Sequence, residues 1–460
     1  MTYKTELPSL RNTLSSRKHR AEAVINGTSH YIYDENMKMS GNKTYWQFTS
    51  NKIGIPTGNE ILQPQVVLCG DPVEASRMLR NHIGKPPFPY SEVLVGNGVL
   101  GQCDPKQWLK QRECLKPSFK TDEVKKLLLL MHEHTLLYII QPLLKQNQTN
   151  HDIHAFLLES NFNLIGNVVL GDHSDWLKQH GNTLRKAFVN GLQPLYKGTP
   201  IGKEAHYIMS EFATHAWDFA QTRRKNNPAS SISIVDRLLQ NTTISPDQRQ
   251  DELMTIMFAG HETTANTLSW CLYELSRSIE TQDKLRNELL KTMQSENVSH
   301  PSQLSFSTLN KLNYLSAALR ETMRLWPVVS NGTFRITSEK GGILNNNVTI
   351  PPGTPFQVPH WSFHRNRAIW GETADVFDID RYKTNWNHDA FMPFSKPPRD
   401  CLGRHFAMAS MRITLVHLLY NFNFKYPENI PAKQGTNWAT LQPENGLLLD
   451  IQPVKIQSKL

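Results

Sequence analysis

A chain of 460 residues is too long for a small module, and 39% hydrophobic with 20% charged residues is ordinary globular composition, enough to bury a substantial core. Length allows two to four domains at roughly 100–200 residues each, although large single-core folds also reach this size. The balance of 50 Lys and Arg against 41 Asp and Glu leaves +9, which suits a basic docking face as well as nucleic acid or anionic lipid, so charge selects no function class.

The N-terminus, Met1 to Arg20, is basic and polar without an apolar stretch, so it reads as neither a secretory signal nor an anchor. Short β-type runs follow, such as Gln65 to Leu68 ahead of Gly70-Asp71-Pro72 and a helix-like Val73 to Leu79, so a β-rich part is expected over about 30–80. From about 104 to 326 the periodicity is helical, broken by loops at Asn226 to Ser231 and Ser299-His300-Pro301. Its greasiest stretch, Leu127 to Leu144, is interrupted by His132, Glu133, His134, Gln141 and Pro142. No window approaches the roughly 18–20 apolar residues of a transmembrane helix, so the chain is not expected to span a bilayer. Strands and Pro-rich loops return over about 327–403, as in Val348-Thr349-Ile350 and Phe356-Gln357-Val358, before a last helix over about 403–420. There Phe406, Met411, Leu415, Leu418 and Leu419 share one side. No repeat and no low-complexity linker divides the chain.

The five cysteines, Cys69, Cys103, Cys114, Cys271 and Cys401, are odd in number and scattered, which argues against a disulfide framework and for a reducing compartment. Their spacing fits no zinc module. Cys401 differs from the rest because the Pro-rich loop Phe394-Ser395-Lys396-Pro397-Pro398-Arg399-Asp400 delivers it to a helix start. Amide donors, the helix dipole and nearby Arg399 favour a thiolate there, and Gly403 leaves room for something flat. An isolated cysteine is nonetheless more often a buried structural residue, so context must decide.

Three further features supply context. Phe258-Ala259-Gly260-His261-Glu262-Thr263-Thr264 lies within an apolar helix expected over Leu253 to Leu275. The small Ala259 and Gly260 let a ligand approach, while Glu262 and Thr263 set an acid beside a hydroxyl that competes for backbone hydrogen bonds. Close helix packing would explain the same small residues. Glu321 and Arg324 are one turn apart between apolar flanks, with Arg381 a plausible third member of a buried network. Trp108 and Arg112 sit four apart near a helix start, and Arg335 follows a loop. Taken singly, those three fit ordinary surface chemistry.

In this order and spacing the features resemble the cytochrome P-450 haem-thiolate family, from Trp108-x-x-x-Arg112 through Ala259-Gly260-x-Glu262-Thr263 and Glu321-x-x-Arg324 to the Cys401 loop. The resemblance covers essentially the whole chain. One departure stands out: Pro397 occupies the place where the family's loop usually has glycine, which puts the loop path and the hydrogen bonding around the sulfur in question.

The resemblance implies one large, mainly α domain over 1–460 with a small β-rich lobe, binding haem b (iron protoporphyrin IX). Cys401 would be the iron ligand. Arg112, Arg335, Arg399 and Trp108 would hold the haem carboxylates, with Phe394 beside the cysteine and Ala259, Gly260 and Gly403 against the ring. Glu262 and Thr263 would deliver protons during dioxygen activation. The implied reaction is monooxygenation of an apolar small molecule, not nucleic-acid chemistry. With no dinucleotide fingerprint in the chain, NADPH would act indirectly through a flavin reductase or ferredoxin, which a basic face including Lys396, Arg399 and Arg404 could attract. Pocket walls are expected near Pro87 to Gly101, Phe258 to His261, Val328 to Phe334 and Trp438 to Leu441. Alternatives are an O2-independent haem-thiolate isomerase, dehydratase or peroxygenase, and more distantly a non-enzymatic haem binder. Location is expected to be intracellular, either soluble or on the cytoplasmic face of a membrane.

Overall fold

The helices that position the site are α1 (Pro72–Asn81), α2 (Pro105–Leu115), α3 (Ile153–Leu170), α4 (Asp175–Leu192), α5 (Pro200–Asn226), α6 (Pro246–Ser276), α7 (Ile279–Ser295), α8 (Asn313–Leu325) and α9 (Arg404–Asn421), with shorter helical turns between them. They come from a computed structural model that describes residues 9–10, 45–49, 63–86, 96–145, 149–171, 175–192, 199–226, 233–344, 349–383, 388–427, 434–437 and 440–454. Most of the β-rich part expected over 30–80, the loop at 227–232 and the wall positions Pro87 to Val95 and Trp438 to Ala439 lie outside the described residues.

The described strands β1 (Ser9–Leu10), β2 (Tyr45–Thr49), β3 (Gln63–Leu68), β4 (Thr333–Ile336) and β5 (Pro355–Val358) form one sheet in the order β1-β2-β3-β5-β4. β5 runs parallel to β3 and antiparallel to β4, so the sheet joins the chain's beginning to the stretch before the cysteine loop. A hairpin of β6 (Gln434–Asn437) and β7 (Thr440–Pro443) packs against α6. The architecture is mainly α with small sheets, as the sequence implied.

The central helix α6 has 31 residues, about 46 Å at 1.5 Å per residue. It starts earlier than the apolar periodicity suggested, because Ser245 and Gln248 form a capping box and Pro246 occupies the first turn, where its missing N–H costs nothing. From Glu252 onward α6 is buried except at Phe258 to Gly260 and at Thr263, so one short window on an otherwise enclosed helix remains open.

Helix α3 packs along α6 and corrects the membrane reading. Among the described residues α3, rather than Leu127 to Leu144, is long and apolar enough to cross a membrane, and 72% of it is buried inside the protein. Its apolarity reflects a helix surrounded by core.

Two buried polar groups stand out in the interior, one charged and one neutral. Arg324, with no exposed surface, donates from Nε and Nη2 to the Glu321 carboxylate at 2.9 and 2.7 Å and from Nη1 to the carbonyls of His364 and Ala374. Arg381 Nε donates to the same carboxylate at 3.0 Å and its Nη2 reaches the Thr373 carbonyl. Elsewhere His132 Nδ1 and His417 Nε2 share a buried 2.9 Å hydrogen bond. Burial lowers both pKa values, to about 4 for His132 and about 3 for His417, where His132 and His300 add repulsion. Because these folded values lie below the ordinary 6.5, the pair is neutral and fully stabilising above that pH. Its contribution is lost as pH falls from about 6.5 toward 4. Thermal unfolding followed against pH is therefore expected to show Tm falling over that window, and His417→Gln should flatten the slope.

Candidate functional site

Cys401 lies just ahead of α9, two residues before the helix cap Gly403. Its N–H donates to the Phe394 carbonyl at 2.9 Å, closing the loop into a ring. The left-handed position in this loop is Ser395, with φ of 60°, while Pro397 is exposed and joined to Pro398 by a cis peptide bond. The tight bend thus falls on a serine anchored by the Thr333 hydroxyl and by a Met392 carbonyl.

The Cys401 side chain is exposed on one side. The protein around the rest of it raises the thiol pKa and Asp400 adds to this, while the Gly403 N–H, Arg112 and Arg404 pull the other way. The local field alone therefore does not make the thiolate that the sequence led us to expect. A metal ion would, since coordination deprotonates a thiol outright. A Cβ built on Gly403 would meet only the sulfur, at 4.0 Å, so its absence keeps the approach to the sulfur clear.

Beside the loop is a group of cations. Arg399 stacks over buried Trp108 at 4.5 Å and donates to the Gln102 carbonyl at 2.8 Å. Arg335, on β4, is buried and donates to the carbonyls of Phe334 and Arg399. Burial and then the Arg399 charge push Arg335 down to about 9, and burial pushes Arg399 down to about 10. Lys85, which sequence reasoning missed because nothing in Gly84-Lys85-Pro86 marks it, donates to the Leu100 carbonyl at 2.6 Å. Burial and the charges of Arg335 and Arg399 bring it down to about 7. Arg112 differs from its neighbours: it is committed to Asp400, at 2.9 Å to the carbonyl and 2.6 Å to the carboxylate, and so ties α2 to the cysteine loop.

The remaining residues lie on α6. Ala259 is exposed and Thr263 half-buried in the open window, where the Thr263 hydroxyl donates back to the Ala259 carbonyl at 2.9 Å. A Cβ on Gly260 would lie 2.7 Å from Ile165 of α3, so glycine at this position allows the close packing of α3 on α6. Glu262 is buried. Its carboxylate accepts from the Thr440 hydroxyl of β7 at 3.0 Å and lies 3.7 Å from His261 Nε2. Thr440 in turn accepts from Asn266, which bonds His154. This polar chain had no sequence signal, since it joins residues from α3, α6 and β7. With Arg185 and Gln442, Glu262 also lines a cavity of about 260 Å³.

An iron porphyrin with two carboxylates fits these residues. The sulfur is open and its approach clear, the cations raise one another's cost, and the Nε atoms of Arg335 and Arg399 are buried without a partner among the described residues. Carboxylates would satisfy both needs. The three residues expected on a basic docking face differ in their surroundings. Arg399 belongs to this inner cluster and Lys396 is held by the His388 carbonyl and Asp389, which leaves Arg404 exposed.

The model of the cytochrome P-450 family matches residues 73–451. The chain is 31% identical to human cytochrome P-450 4F8 over 245 residues, and 30% identical to Leukotriene-B4 omega-hydroxylase 3 of Mus musculus over 246; each alignment covers 52% of this chain and 45% of the relative. It thus spans a little under half the length of those relatives. Against cytochrome P-450 714D1 of Oryza sativa subsp. japonica it is 27% identical over 434 residues, 82% of this chain and 72% of the relative. Since the family model covers most of the chain, residues 73–451, the chain belongs to the cytochrome P-450 family.

Proposed function

We propose that this chain is a haem-thiolate monooxygenase, converting an apolar substrate RH with O2, two electrons and two protons into ROH and water. The observation that carries the reading is the exposed Cys401 in a loop where Arg399, and Arg335 against it, each keep a buried Nε without a partner among the described residues, a cost that anions would remove. Cys401 would ligate iron, and Lys85, Arg335, Arg399 and Trp108 would face the haem carboxylates. When bound, the haem supplies binding and reductive cleavage of dioxygen.

The chain's own part is orientation and proton handling. Ala259 leaves space on the open window of α6. Thr263 holds a hydroxyl proton there, at Oγ1, against the Ala259 carbonyl. Glu262 supplies the acid behind it, held at one oxygen by Thr440, and the cavity on its far side has room and polar walls for water. This acid and alcohol favour the monooxygenase over an isomerase or dehydratase, which has no need for delivered protons.

Substrate would be an apolar small molecule, and electrons would come from NADPH through a separate flavin reductase or ferredoxin. Five free cysteines fit a reducing intracellular setting.

Purified protein with a reductase is expected to consume NADPH and O2 and to hydroxylate at least one member of an apolar substrate panel. Haem binding without any such consumption would leave the haem binder; turnover of hydroperoxides without O2 would leave the isomerase or peroxygenase. Thr263→Ala is expected to keep its fold and its NADPH consumption but to lower product formed per NADPH by roughly a hundredfold, the small end of what a positioned proton donor contributes. Unchanged coupling would remove Thr263 from the mechanism.

A further inference from the structure

Near its start, α6 carries two acids, Asp251 and Glu252, to which the proposed reaction gives no part. Glu252 has no exposed surface. Burial raises the pKa of both, Glu252 to about 8, and what pulls each back is one backbone amide from the same segment. Asp251 Oδ2 accepts from the Asn97 N–H at 2.8 Å, and Glu252 Oε2 from the Val99 N–H at 3.0 Å. Gly96, with φ of +45°, passes so close that a Cβ would lie 2.2 Å from Asp251 Oδ1. The segment is gripped from its other side by α2, where Gln111 Nε2 donates to the Asn97 carbonyl at 2.6 Å.

The far end of this strap holds the cationic cluster. Lys85 Nζ donates to the Leu100 carbonyl at 2.6 Å, and Arg399 Nη2 to the Gln102 carbonyl at 2.8 Å. Between the two ends the strap is stiff, because the N–H groups of Gly101 and Gln102 both donate to the Gly98 carbonyl at 2.9 Å. We propose that Asp251 and Glu252 are positioning residues for the haem-carboxylate cradle: by gripping Asn97 and Val99 they set the carbonyls of Leu100 and Gln102, which aim Lys85 and Arg399. The inference rests on the haem reading above and deepens it, since it assigns the start of α6 a part in cofactor retention.

The test uses the full chain, with Glu252→Ala, Glu252→Gln and, at the less buried position, Asp251→Ala. Glutamine keeps an oxygen for the Val99 N–H. Two readouts are taken: the rate of haem transfer from holoprotein to apomyoglobin, and the acylation of Lys85 relative to exposed Lys106 in haem-free protein, measured by mass spectrometry. Glu252→Ala is expected to lose haem roughly tenfold faster, the factor one unmade buried hydrogen bond is worth, and to acylate more rapidly at Lys85. Glu252→Gln should stay within about twofold of the parent on both, by the same count of hydrogen bonds. If Glu252→Ala does not fold, Asp251→Ala carries the same expectation. Unchanged Lys85 acylation and haem transfer in the alanine variants would overturn the proposal, as would a glutamine variant behaving like alanine. A parent chain that binds no haem would overturn the haem reading, while the Lys85 measurement would still judge the strap.

Discussion

Cys401→Ala is expected to abolish the long-wavelength Soret band of the reduced CO complex that the family's thiolate ligation implies. None of the other four cysteines is placed to supply a thiolate in its stead. Cys69, Cys114 and Cys271 are buried, and burial pushes their thiols well up, to about 11 for Cys114 and about 12 for Cys271. Cys103 is half-buried with its thiol directed to the Gly101 carbonyl. The variant should also retain haem less tightly, since the cationic cradle alone would hold it. A band unchanged in position would remove Cys401 as the iron ligand and with it the proposed mechanism.

Arg324→Ala should have the largest effect on the fold. The substitution strips Glu321 of a bidentate partner in a site with no exposed surface, and leaves the carbonyls of His364, Ala374 and Val376 without that donor. Removing one member of such a buried pair costs about 3–5 kcal/mol, a large share of the roughly 5–15 kcal/mol that holds a domain together. Arg381 would keep one contact to Glu321 but lies at the edge of the cluster and cannot fill the space. Holoprotein yield and the urea midpoint should both collapse, whereas a change within about 1 kcal/mol would mean the pair behaves as an exposed bridge does. Arg324→Lys is expected to rescue only partly, because one ammonium cannot reproduce the planar fork.

How much of this was legible in the sequence differs from residue to residue. Local signals worked where the physics is local. Helical periodicity located the body between 104 and 326, Glu321 and Arg324 were correctly joined because one helical turn brings them face to face, and the cysteine loop was recognisable from a run of ten residues. Even so, α6 began seven residues before its apolar pattern, since its start is set by a capping box rather than by hydrophobicity.

Other assignments needed the fold. Gly260 reads equally as space for a ligand or for a neighbouring helix, and only the fold reveals the approach of Ile165. Arg112 and Arg399 read alike as cations near a cysteine, and both lie over Trp108, yet Arg112 pairs with Asp400 while Arg399 donates to the Gln102 carbonyl. Lys85 and Thr440 carried no signal, because each acts through partners far along the chain: the Leu100 carbonyl and the Arg335 and Arg399 charges for one, Glu262 for the other. The mainly helical character, the order of the motifs and a cysteine set in a Pro-rich loop ahead of a helix could be read from sequence alone, because these depend on spacing within a turn or a loop. Which cations gather beside the cysteine loop, which carboxylates hold the segment from Asn97 to Val99 and which small residues allow close packing were decided by tertiary structure alone, since burial and Coulomb energy depend on distances in space.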